Sequence, residues 1–252
     1  MILTYIFYAL LGWVVGLVIN HAANVLPKRE TIWQWPERAP DETRKSLTDW
    51  SILLSRLTKG AVPDYWPSHI WKRAIIIEIT TPIFFLFLLY RFEFTWHLAL
   101  VSLYTTILIL ITVTDLEHRL IFNVVTLPAI LFSIAAAFFT PNLFWPMALT
   151  GGVTAFITTY GLWLLGALLY GHGALGAGDI TLATFLGFIL GVPQIILTII
   201  FTVFLGAFVA LVLLITRRVT RKSFIPYGPF LTITGWIMLI WGSEISQYYF
   251  GN

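Results

Sequence analysis

Apolar residues fill the chain in long, nearly unbroken runs separated by short polar punctuation. The first run, Ile2 to about Leu26, has Lys28 and Arg29 after it and no basic segment before it. A cleaved signal peptide has the opposite order, so this run reads as a retained helix. Residues 27–70 form the one long polar stretch, where Pro36, Pro40, Pro63 and Pro67 break any long helix. From Ile70 onward the runs predict helices at about 71–90, 96–114, 124–139, 145–170, 180–191, 194–216 and 228–249. With the first, that makes about eight transmembrane helices in an all-α fold, each long run meeting the roughly 20 apolar residues a span requires. The run 180–191 is too short alone. It is tilted, partly re-entrant, or continuous with its neighbour across Gly191, Val192 and Pro193. Gly12 and Gly16, and again Gly187 and Gly191, have the spacing of close helix packing. Trp145 and Trp241 stand near predicted span ends as interfacial anchors.

Composition supports the membrane reading. Charged residues make up 11% of the 252 positions, against roughly 25% in a soluble domain. Mean hydropathy is +0.86, so most of the surface faces something other than water. The formal charge of +3 is a weak basic bias, and its distribution carries more than its size. Placing the N-terminus outside puts residues 27–70, 115–123, 171–179 and 217–227 on the cytoplasmic side. The cytoplasmic flanks then hold 14 of the 15 basic residues, leaving only Arg91 outside. Such segregation speaks for a topology and against nucleic acid as a partner. Arg217, Arg218, Arg221 and Lys222 fix orientation, with anionic lipid as a supplementary contact. The chain has no cysteine, which removes disulfides, Cys-ligated zinc, iron–sulfur clusters and cysteine nucleophiles.

Ionisable groups within or beside spans suggest function, because they are expensive there. Three carboxylates qualify: Glu78, Asp115 and Asp179. Asp179 closes the glycine-rich segment Gly171–Asp179 and is followed directly by an apolar helix. The bland reading is a helix N-cap, and it is compatible with catalysis because a helix N-terminus stabilises a carboxylate. Asp115 begins the segment running to Arg119 and Asn123, and its bland reading is a solvated carboxylate paired with Arg119 at i+4. Glu78 reads as structural, pairing with a basic group from the first loop. The topology puts Asp115 and Asp179 on one side of the membrane. Two apposed carboxylates share a proton and can activate water against a peptide carbonyl without metal, cysteine or serine.

At these residues the sequence resembles the prepilin peptidases, bacterial membrane aspartic proteases of the GxGD class. Gly176, Gly178 and Asp179 carry the GxGD pattern. Asp115, Arg119 and Asn123 resemble the family's first catalytic motif, and Thr126 and Pro128 fit the segment after it. Three more blocks agree in order: Gly16 and Asn20 through Pro27; Arg73, Glu78 and Thr81; and Ile225, Pro226, Tyr227, Gly228 and Pro229. The resemblance implies removal of the short basic leader from type IV prepilins or pseudopilins at the cytoplasmic face of the bacterial inner membrane. It makes Asp115 and Asp179 the catalytic pair. It also implies, in many members, N-methylation of the new terminus from S-adenosylmethionine, which stays open for this chain. The chain divides accordingly into a first helix (1–26), a cytoplasmic loop region (27–70) and a membrane-embedded peptidase core (71–252).

Several positions depart from the family pattern. Many members carry paired CxxC motifs that form a zinc site in the first loop. This chain has none, so no zinc is expected, and Trp33, Trp35, Trp50 and Trp66 are candidate organisers of the loop. Thr181 stands where lysine is usual, Phe122 where proline is, and Val25 where arginine is common. These put specificity and methylation in question more than proteolysis. A metal site built from Glu117, His118 and His172 matches no standard ligand spacing. The rival function is a proton-coupled transporter using the paired carboxylates, but the chain shows no inverted repeat or matched broken helices.

Overall fold

A computed structural model describes residues 2–28, 51–59, 68–140, 143–170, 176–220 and 225–251. Trp33, Trp35, Trp50, Trp66, His172, Arg221 and Lys222 lie outside the described residues. Within them run α1 (Ile2–Val25), a 3-10 turn (Leu26–Lys28), α2 (Ile52–Lys59), α3 (Ser68–Phe92), α4 (Trp96–His118) and α5 (Asn123–Ala136). They are followed by α6 (Trp145–Tyr170), α7 (Ala177–Leu190), α8 (Gln194–Ile215) and α9 (Gly228–Phe250). Each of the eight apolar runs has become a helix. The addition is α2, eight residues long, inside the polar stretch.

Five of these helices are long and apolar enough to cross a membrane: Ile2–Val25, Ile70–Phe92, Trp96–His118, Trp145–Leu169 and Gln194–Ile215. The remaining apolar helices, α5, α7 and α9, fall outside that measure by length or composition. At about 1.5 Å per residue, α5 and α7, 14 residues each, reach only about 21 Å, short of the roughly 30 Å hydrocarbon core. The 23-residue α9 has the length, but Thr232, Thr234, Ser243, Glu244, Ser246 and Gln247 dilute its hydropathy.

The chain divides into two compact units, Met1–Thr106 and Ile107–Asn252, with the division falling inside α4. In the first, α1 lies along α3. A methyl on Gly12 would stand 2.8 Å from Pro82 Cα, and one on Gly16 3.2 Å from the Ile77 carbonyl, so only glycine lets these helices approach so closely. The Tyr8 and Ser102 hydroxyls meet at 2.6 Å, joining α1 to α4.

Glu78 on α3 is buried, at 2% exposure. Among the described residues its partners come from the start of α2. Oε2 accepts the Ser51 hydroxyl at 2.6 Å and the Leu53 amide at 3.3 Å, while Oε1 accepts the Ile52 amide at 3.0 Å. The Ser51 hydroxyl in turn accepts the Leu54 amide at 3.1 Å. The free amides and positive dipole end of α2 supply these contacts.

In the second unit α7 packs against α5, α6, α8 and α9. Residues on all of its faces are buried, among them Leu182, Ala183, Phe185 and Leu186 at 0% exposure. A helix enclosed by protein meets lipid on little of its surface, so its short apolar run is no obstacle to burial. It ends at Gly191, whose φ of +70° and amide bond to the Gly187 carbonyl (2.9 Å) close the last turn. Thus α7 is not continuous with α8, the third of the alternatives left open for the short run. The α6–α7 crossing is backbone on backbone, with Gly151 and Gly187 facing each other and no room for a methyl on either.

Candidate active site

Both sequence-singled aspartates fall in the second unit, at helix ends. Asp115 lies in the last turn of α4, and the helix stops where Arg119 takes a left-handed φ of 55°. Its exposure is 5%, beside Thr114 at 2%, so the solvated-carboxylate reading does not hold. Oδ2 of Asp115 is buried with no hydrogen-bond partner among the described residues. An orphaned buried acceptor is uncommon and calls for an explanation.

Asp179 is the third residue of α7 and is 6% exposed. It is not the N-cap; Gly176 holds that position in an extended conformation. The Gly176 amide donates to Asp179 Oδ2 at 2.9 Å, and the Asp179 amide donates to the Gly176 carbonyl at 3.0 Å. The carboxylate thus holds its own helix entry in place, as the acidic member of a capping box does.

Three glycines shape the space around the carboxyls. A methyl on Gly228, at the start of α9, would stand 2.5 Å from Asp115 Oδ2 and 3.0 Å from its Cγ. One on Gly178 would stand 2.7 Å from Ile121 Cβ, and one on Gly176 3.1 Å from Asp179 Oδ2. Ile121 also lies 3.3 Å from the Gly228 methyl position through Cδ1. The α4–α5 connection therefore wedges between the entry of α7 and the entry of α9. Asp179 lies within electrostatic reach of Asp115.

Other sequence-predicted positions are distributed less uniformly. Arg119 and Asn123 are exposed, and Pro226 is half-buried immediately before Tyr227 and Gly228. Glu78 belongs to the first unit and holds α2. Thr181 donates to the Gly178 carbonyl at 2.9 Å and lies 3.4 Å from the buried Thr126 hydroxyl, so it serves the α5–α7 contact. Glu117 and His118 approach to 3.8 Å, and no group of three or more candidate metal ligands occurs among the described residues.

Two contributors escaped the sequence reading as individuals. Ile121 shows only as an apolar residue in a polar segment. Tyr227 sat inside a recognised block, but nothing in its spacing pointed to a carboxylate. Burial, and then the charge of Asp179, push its phenol up to about 12. It therefore stays protonated and able to donate at neutral pH.

Comparison with known proteins gives the segment a family context. Residues 102–211, which include both aspartates, match the model of the type IV leader peptidase family. A prepilin leader peptidase/N-methyltransferase of Pseudomonas aeruginosa is 28% identical over 95% of this chain and 91% of its own. One from Xanthomonas campestris pv. campestris is 27% identical over 95% and 92%. One from Aeromonas hydrophila is 30% identical over 62% of this chain and 54% of its own. No solved structure matches the chain significantly. The family match and the named relatives lend the transporter alternative no support. The chain is thus a multi-pass membrane protein similar to the prepilin leader peptidases over nearly its whole length, and its residues 102–211 match the type IV leader peptidase family.

Proposed function

We propose that the protein is an aspartic endopeptidase that removes the short basic leader from type IV prepilins or pseudopilins, with Asp115 and Asp179 as the catalytic pair. The observation that carries the reading is the pair itself: two buried carboxyls within electrostatic reach, one with an unpartnered oxygen, at glycine-lined helix ends inside the family-matched segment. Like charges this close favour a state in which the pair holds one proton. The ionised carboxylate takes a proton from water as the water oxygen attacks the scissile carbonyl carbon. The protonated partner gives its proton to the carbonyl oxygen. Collapse of the tetrahedral intermediate breaks the C–N bond, and the proton taken from water passes to the departing amine.

The segregation of basic residues favours an outside N-terminus and a cytoplasmic active site in the bacterial inner membrane. The leader would meet that face, and the apolar start of the mature pilin would lie along the helices. The relatives' names also carry an N-methyltransferase activity. For this chain, methyl transfer from S-adenosylmethionine is a separate reading, tested by following a labelled methyl group onto a processed pilin.

Membranes containing the protein, incubated with a type IV prepilin, should release the leader. Asp115→Asn and Asp179→Asn should each slow release by about a thousandfold or more. Processing by either variant at the parental rate would end the proposal.

A further inference from the structure

Helix α4 carries Asp115 near its C-terminal end. Whereas α6 and α7 meet backbone to backbone, α4 makes no extended backbone approach to the other helices of the second unit among the described residues. Its rotation and depth against α9 must therefore be set by side chains. One polar link joins the two helices. Thr112 lies one turn before Asp115 on α4, Thr232 lies one turn after Gly228 on α9, and their hydroxyls stand 2.7 Å apart. Thr232 is 2% exposed.

Each hydroxyl also lies near a carbonyl of its own helix: Thr112 to Leu108 at 2.7 Å, Thr232 to Pro229 at 3.0 Å. A hydroxyl has one proton to give. One threonine therefore satisfies its own carbonyl while accepting the proton of the other, and the crossing bond is obligatory if both hydroxyls are to stay in place. A turn away on both helices, the Asp115 carboxyl rests on Gly228 with no space for a methyl between them. The hydroxyl link and the carboxyl–glycine contact form two rungs of one ladder between α4 and α9.

We propose that the Thr112–Thr232 link is a positioning pair for the cleavage, fixing the rotation and depth of α4 so that Asp115 meets Asp179 and water in register. The inference rests on Asp115 being catalytic. It assigns these threonines no contact with substrate. Replacing either threonine by valine removes the crossing bond and leaves the remaining hydroxyl free to donate to its own carbonyl, so no buried donor is orphaned. The expected loss is in geometry more than in stability.

The test measures prepilin cleavage by the purified full chain in detergent for parent, T112V, T232V, the double variant, T112S, T232S and D115N. Each valine variant should lose about tenfold in kcat with KM unchanged, as a slight misplacement of a reacting group does. The double variant should lose no more than either single one, because both delete the same bond. The serine variants should recover most of the rate, and thermal unfolding midpoints should stay close to the parent's. Parental kcat in T112V and T232V, with D115N inactive, overturns the positioning pair and leaves the peptidase reading intact. So do additive losses in the double variant, or serine variants as slow as valine. An active D115N overturns the peptidase reading itself, and the positioning pair with it.

Discussion

At Gly228 the candidate site has its narrowest tolerance. A single methyl there would stand 2.5 Å from Asp115 Oδ2, so either the carboxyl or the entry of α9 must move. We expect Gly228→Ala to lower the cleavage rate per folded molecule by about tenfold or more and stability by about 1–3 kcal/mol. Gly161→Ala, where a methyl meets nothing within 4 Å, should keep full activity and gain up to about 1 kcal/mol of helix stability. Rates and unfolding midpoints measured side by side check both, and equal behaviour of the two variants would contradict the packing account. At this scale Asp115 and Asp179 were legible as candidates because carboxylates are costly beside apolar spans. Their burial was not. The Asp115 segment is polar on paper, with Glu117, His118 and Arg119 exposed, and only the fold turns Asp115 inward. Thr112 and Thr232 were invisible as a pair, since most threonines in these helices simply bond the carbonyl one turn back, as Thr198 and Thr184 do.

Between elements, the telling contact is that of Glu78 with α2. The carboxylate receives one hydroxyl and two amides from the start of that helix. Glu78→Ala would leave those donors unpaired at a buried position, costing about 1–3 kcal/mol of local stability. Hydrogen exchange at residues 52–59 should rise in this variant, with exchange in α6 and α7 unaffected. Unchanged protection of α2 would show that some other contact holds it. Periodicity and prolines placed every long helix within a few residues, because an apolar run ended by glycine, proline or charge leaves little choice. What they missed was α2. Eight residues give a weak signal, and its start is stabilised by a carboxylate 26 positions away in sequence from Ile52. The reach of α7 was likewise hidden, since its apolar run does not say whether lipid or protein surrounds it.

For the whole molecule, the charge distribution makes a prediction that the native sequence is well suited to test. The chain has no cysteine, so an introduced one is the only thiol. Cysteines placed at Glu117 and Arg218 should react with an impermeant reagent only from the cytoplasmic side, and one at Glu93 only from the outside. Reversed labelling would contradict the orientation. The family-level reading rests on five ordered blocks spread along the sequence, and the similarity to peptidases over 95% of the chain agrees with it. The central claim remains that Asp115 and Asp179 act as one unit. Residual leader cleavage by D115N, D179N and the double variant, in purified protein that still folds, tests it most directly. The account predicts three equal residual rates, because removing either carboxyl already removes the pair. A double variant slower by the product of the two single losses, or one single variant near the parental rate, would contradict it.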